Sequence, residues 1–330
     1  MWILHVRFFR LKKGFFIRNY IIKRLFLAIP MLLAISFISF SLTTLIPSDP
    51  AEVALRVNEI IPTEEAIEQM REELGLNEPF LVRYANWLVD LAHLDLGNSY
   101  TNNNRTVVGE IFRSLPTTLT LAFFAFVIVI VVSIPIGVLS AVFKDSFFDK
   151  IVRIFIFIAT AMPNYWMGLL LVWYFALELR WLPTSGATTL QHFILPAVTL
   201  SLNYIAMYVR LIRNSMLDKM KDDFVFYARV RGIKEINIVL KHLLRNSLQT
   251  SINALGISLV LLVAGTFVIE NIFALPGIGR LCISSIFNRD YPMIQAYVLF
   301  IGTLFVFVNL FVDIIQVYLD PRMKKGVKGV

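Results

Sequence analysis

The sequence predicts an all-α polytopic membrane protein with six transmembrane helices. Three observations carry that prediction. The 330-residue chain is 57% hydrophobic with a mean hydropathy of +0.70. Only 16% of it is charged, and its basic residues gather in alternate loops between long uncharged runs. A soluble chain cannot hide that much apolar surface. The net charge of +8 is therefore read as membrane topology, with lipid as the surrounding partner and no nucleic acid.

Residues 1–24 hold seven basic residues and no acid, which predicts a cytoplasmic N-terminus. Residues 25–46 are 22 uncharged residues, long enough to cross about 30 Å of hydrocarbon, and read as an uncleaved anchor. Residues 47–117 carry twelve acids against five arginines and form a small extracytoplasmic helical segment. One helix is expected after Pro62-Thr63, ended by Gly75. A second should follow Pro79, with Leu81, Tyr84, Leu88 and Leu91 inward. The acids of this segment are read as a solvated face.

Residues 118–320 supply five further spans. The second runs over 118–143. The third, over 154–177, should kink at Pro163, which removes a backbone donor. The fourth covers 193–209, the fifth 246–269 and the sixth 292–319. The tail, 321–330, is basic. With both termini inside, inner segments hold 23 basic residues and outer segments 8, so six spans with N-in and C-in topology meet the positive-inside rule.

Residues 213–248 are the longest polar interval on the inner side. Ile236, Val239, Leu240, Leu243 and Leu244 recur at helical spacing, opposite Lys234, Asn237, Lys241 and Arg245. Gly232 interrupts the pattern, so two short helices at an angle are expected. Periodicity fits a docking element and a helix resting in the lipid interface equally well.

Several chemistries are bounded directly. The lone Cys282 excludes an internal disulfide and a thiolate metal cluster within one chain, and the four histidines lack metal-ligand spacing. No Gly-Lys dipeptide occurs, so the chain has no phosphate loop of the Walker type. Glu270 and Asp313 lie in or beside spans. Each is open to a transport role or to a structural one, Glu270 by holding the loop after it. A secondary transporter would take up cargo without any ATPase. A membrane-embedded enzyme would need a catalytic pair within the spans.

The residues from Tyr20 to Arg322 resemble the inner-membrane permeases of binding-protein-dependent ABC importers, in the dipeptide, oligopeptide and nickel group. Ile46-Pro47-Ser48-Asp49-Pro50-Ala51 is similar to that family's motif after the first span, with Ser48 in place of glycine. Leu74-Gly75-Leu76-Asn77-Glu78-Pro79, Leu94 to Ser99, Trp181 to Gly186 and Leu195 to Leu200 carry the likeness further. The resemblance implies that 213–248 is the loop coupled to the ATPase, through Asp223, Ala228, Arg229, Arg231, Gly232, Arg245 and Asn246. The chain departs from the family pattern at Phe226-Tyr227 and at Gln249-Thr250. It further implies a second homologous permease, two ABC ATPase subunits that hold ATP and magnesium, and an extracytoplasmic substrate-binding protein. This chain would hold no cofactor, metal or catalytic residue of its own. Ile269 to Arg280, Ile286 to Gln295 and Ala161 to Trp166 are most similar to the nickel branch, implying nickel or a related chelate as cargo, with peptides as the alternative. Asn164, in the last of these motifs, joins Glu270 and Asp313 as a candidate for the translocation path.

Overall fold

The computed structural model describes residues 2–45, 48–101 and 105–319. Side chains are described from Ile22 onward, except at 249–253, 255–257, 260, 312–313 and 315–319. The chain forms two compact units, residues 1–115 with 281–330, and residues 116–280.

Helix α1, Trp2–Thr44, runs through the basic stretch and the first apolar run without a break. Three short helices follow. Helix α2, Pro50–Val57, has Asp49 as its N-cap, with the carboxylate accepting from the Ala51 N–H at 3.0 Å and a proline at the first position. Helix α3, Glu64–Glu73, is capped by the Thr63 hydroxyl and ends before Gly75, whose φ is +63°. Helix α4 is Phe80–Ala92. Its inward face is the expected one at Tyr84, Leu88 and Leu91, which are half-buried, and departs from it at Leu81. Leu81 is exposed, and Trp87 joins Tyr84 on the inner side, where the rings of Phe37 and Phe40 on α1 receive the two edge-on or tilted at 5.3–5.6 Å.

Helix α5, Val107–Val142, starts well before the apolar run because Val107 to Pro116 continue the same helix. Helices α6, Phe147–Ala161, and α7, Asn164–Leu171, lie where the third span is expected. The kink foreseen at Pro163 is a full break, with a bend of 108° between them. Met162 is extended, at φ −92° and ψ 132°, the conformation a following proline enforces. A π-helical turn, Val172–Glu178, continues α7.

Helix α8, Ile194–Lys219, runs ten residues past the expected end of its span, so Arg210 and Arg213 are helical rather than in a loop. Helix α9, Asp223–Val230, is followed by α10, Glu235–Asn237, a π turn over Ile238–Leu243, and α11, Leu244–Ile272. The short helix foreseen after Gly232 is thus the start of a run that extends to Ile272. Helices α12, Ile278–Phe287, and α13, Tyr291–Leu319, complete the chain.

Among the described residues four helices are long and apolar enough to cross a membrane, or five when α6 and α7 count as one span. The fifth expected span falls on α11, which is 29 residues long but whose middle is largely outside the described side chains.

In the first unit α1 packs on α13. Gly302 lets Ile35 approach so closely that an added Cβ would sit 2.7 Å from it, and Ser39 donates to the Gln295 carbonyl at 3.0 Å. Asp290, fully buried, takes hydrogen bonds from Ser99 and Thr101 at 2.5 and 3.0 Å and ties the segment after α4 to the start of α13. The second unit has two apolar cores. One lies around Tyr208, Ile212, Met216 and Ile238, and the other around Leu121, Leu200, Leu262 and Phe273.

Candidate functional site

The polar interval singled out in the sequence folds as the end of α8, a turn, α9 and a second turn into α10. Lys219 pairs with Asp222 at 3.1 Å at the first turn. Helix α9 buries only Val225 and Ala228, the two positions three apart that face the core of the second unit. Phe226, Tyr227 and Val230 stand out at 65%, 64% and 69% exposure.

The turn after α9 is fixed by its backbone. The Ile233 N–H donates to the Ala228 carbonyl at 3.1 Å, and the Gly232 N–H to the Arg229 carbonyl at 2.9 Å. This is the Schellman pattern, which places the residue after the cap in the left-handed region. Gly232 occupies that place with φ +73°, and a Cβ there would meet nothing within 4 Å. The glycine is required by conformation, not by space. Arg229 and Glu235 close the turn from outside, Nε to Oε1 at 2.6 Å. That carboxylate, hydrogen-bonded to it, holds the Arg229 guanidinium above its ordinary pKa.

The register beyond Gly232 differs from the periodicity reading. Ile238, Val239 and Leu243 are buried, whereas Ile236 and Leu240 are exposed at 59% and 51%. A π turn takes more residues per revolution than an α-helix and so rotates the faces against each other. The result is an exposed apolar patch on both arms of the turn, rimmed by Arg229, Arg231 and Lys234. Asp223 and Arg245 are exposed and Asn246 is half-buried, so the site residues expected here are distributed along the segment.

Arg213, counted in the same polar interval, turns inward. Its guanidinium grips Asp149 with two parallel bonds, Nε to Oδ1 at 2.7 Å and Nη2 to Oδ2 at 2.8 Å. Asp149 is fully buried and accepts further bonds from the Ser140 hydroxyl and the Asp145 N–H. Sequence reasoning missed this pair, since 64 residues separate its members.

Glu270 is also fully buried. Thr118 donates to its Oε1 at 2.7 Å and the Arg280 N–H to its Oε2 at 3.1 Å, while the Ile278 N–H donates to Thr118 at 2.9 Å. A Cβ on Gly277 would lie 2.3 Å from the carboxyl carbon, so the loop wraps directly over it. These contacts hold the loop after Glu270 in place. Asn164 is half-buried at the start of α7, beyond the break. Asp313 lies outside the described side chains. No group of three or more His, Cys, Asp or Glu side chains that could hold a metal ion occurs among the described residues.

Comparison with known proteins gives concordant findings. The family described as binding-protein-dependent transport system inner membrane component matches residues 133–325, and its N-terminal companion matches residues 17–122. The metal-staphylopine import system permease protein CntB of Staphylococcus aureus (strain NCTC 8325 / PS 47) is 36% identical over 94% of this chain and 99% of its own. The oligopeptide transport system permease protein AppB of Bacillus subtilis (strain 168) is 36% identical over 92% of this chain and 99% of its own. Among solved structures, an inward-facing MetNI methionine ABC transporter superposes with a TM-score of 0.56 at 18% identity. It covers 64% of this chain and 96% of its own, a likeness of fold.

Proposed function

Because the chain belongs to the family of binding-protein-dependent transport system inner membrane components, we propose that it lines half of a translocation path through the bacterial cytoplasmic membrane, beside a second related permease. An extracytoplasmic binding protein delivers cargo, and two ATPase subunits bind and hydrolyse ATP with magnesium. Both termini face the cytoplasm in this reading, which brings the turn around Gly232 to the ATPases. The exposed patch of Phe226, Tyr227, Val230, Ile236 and Leu240 seats in a groove on the ATPase, and the Schellman turn keeps the two arms at a fixed angle. A push on that patch is then transmitted to α8 and α11 rather than absorbed by a soft loop. Asp223, Ala228, Arg229, Arg231, Gly232, Arg245 and Asn246 form the coupling segment.

The cargo reading is a metal carried in an organic chelate, with nickel as a candidate ion. The likeness to the metal-staphylopine import permease over 94% of this chain carries it. A bare divalent ion would need several ligands to offset its dehydration, whereas a chelate brings its own. A second reading, a dipeptide or oligopeptide, is favoured by the equal identity to the oligopeptide permease.

Uptake by cells with and without this chain separates the two. Labelled nickel in the presence of a chelator should enter only when the chain is present, while a labelled dipeptide enters equally in both strains. The reverse pattern selects the peptide reading. The coupling assignment is tested by the double variant Arg231→Glu/Gly232→Val, which should insert normally and abolish uptake. Full transport at normal membrane abundance would overturn it.

A further inference from the structure

The first unit holds a cleft of about 700 Å³ that the transport reading does not use. Helices α2, α3 and α4, the segment from Asp95 to Tyr100 and the facing ends of α1 and α13 line it, and it is open on one side. That volume lies within the range of small-molecule sites. Its charge is one-sided. Glu73, Glu78, Asp90 and Asp95 line it, against a single guanidinium, Arg83. Asp95 is engaged in accepting from the Gly97 N–H at 2.9 Å. Glu73, Glu78 and Asp90 enter no ion pair among the described residues. Arg83, its guanidinium over the Phe40 ring at 5.9 Å from the centroid, supplies one positive charge against four carboxylates and leaves the lining net negative.

Phe40, Trp87, Tyr100 and Tyr291 share the rest of the wall with aliphatic and uncharged polar residues. Trp87 packs on Phe40 at 5.6 Å between ring centroids and stacks on Tyr84, and Tyr84 is hydrogen-bonded to Ser36 at 2.8 Å. Tyr100 packs edge-on against Tyr291. Burial, and next the Asp290 carboxylate, push the Tyr100 phenol above its usual range, so it adds no negative charge at neutral pH.

Aromatic and aliphatic side chains beside unpaired carboxylates in one cleft attract positive charge carried on an apolar body. The carboxylates do not converge as metal ligands do. We propose that this cleft is a binding site for a small organic cation, an ammonium or guanidinium on an apolar frame. The charged nitrogen faces Glu73 and Asp90, and the frame lies against Trp87. The site is separate from the coupling segment and does not depend on which cargo the chain carries.

Calorimetric titration of the full chain in nanodiscs of zwitterionic lipid tests this, with empty nanodiscs subtracted. The probes are 2-phenylethylammonium, neutral 2-phenylethanol and anionic 3-phenylpropionate. The ammonium should bind saturably at one site, about tenfold tighter than the alcohol, and the carboxylate not at all. Glu73→Gln/Asp90→Asn removes two exposed carboxylates and should leave the melting temperature unchanged while weakening the ammonium about fivefold or more. Equal affinity for ammonium and alcohol, an unaffected double variant, or no saturable binding would each overturn the proposal. The measurement involves no ATPase and no uptake, so its failure leaves the transport reading standing, and a failed transport assay leaves the cleft standing.

Discussion

Two arginine–carboxylate pairs in the second unit have nearly the same geometry and opposite surroundings. Arg213 and Asp149 meet at 2.7 Å with side-chain exposures of 13% and 0%, whereas Arg229 and Glu235 meet at 2.6 Å with exposures of 53% and 61%. In the first pair two ions have left water, and Ser140 and the Asp145 amide complete the shell that replaces it. In the second, water screens the attraction and competes for both partners. The buried pair therefore fixes the α5–α6 turn to the base of α8, while the exposed one lies across a turn that its backbone already defines. Distance alone does not rank such contacts.

The largest effect should come from breaking the buried pair on one side. Asp149→Ala leaves Arg213 without its counter-ion and should cost roughly 3–5 kcal/mol in denaturant unfolding of the purified chain in micelles. Replacing both residues by apolar ones, Asp149→Leu/Arg213→Met, should recover most of that loss. If the double variant were as unstable as the single one, the desolvation argument would fail. Next comes the buried Glu270 loop. Gly277→Ala forces a methyl against the carboxylate and should cost about 1–3 kcal/mol in the same measurement. Gly232→Ala has space but not conformation, and a loss of about 1 kcal/mol is expected. The smallest effect belongs to the exposed pair. Arg229→Ala should lower stability by no more than about 1 kcal/mol, and by less at high salt. A loss comparable to that of Asp149→Ala would erase the contrast.

The elements most legible in the sequence were those encoded by local chemistry. Gly75 and Gly232 both adopt positive φ where a helix was expected to stop, and Thr63 caps the helix that follows it. Helix α2 was equally encoded, by an Asp-Pro pair at its start, but an eight-residue helix is too short for periodicity to announce. Where more than one element decides, sequence reasoning ran short. Pro163 signals a disturbed helix, yet whether the chain bends or breaks depends on what packs on either half. The faces around Leu240 followed a π turn that no local residue specifies. Arg213 and Asp149 looked like ordinary loop charges until the fold brought them together. Tyr84 turned inward as its spacing indicated, where rings on α1 supplied the partner, but Leu81, one turn earlier on the same face, stayed exposed.

The break between α6 and α7 has a consequence for the solvent that part of the membrane region must contain. Pro163 has no N–H to offer the Ala159 carbonyl, and Met162, whose N–H closes the last helical bond to the Ile158 carbonyl at 3.1 Å, turns extended so that the ladder ends there. Hydrocarbon gives such groups nothing to bond to. Wherever the bilayer surrounds it, such an elbow must be bathed by moisture or clasped by neighbouring polypeptide, which makes it a place where polar matter is tolerated between two apolar half-rods.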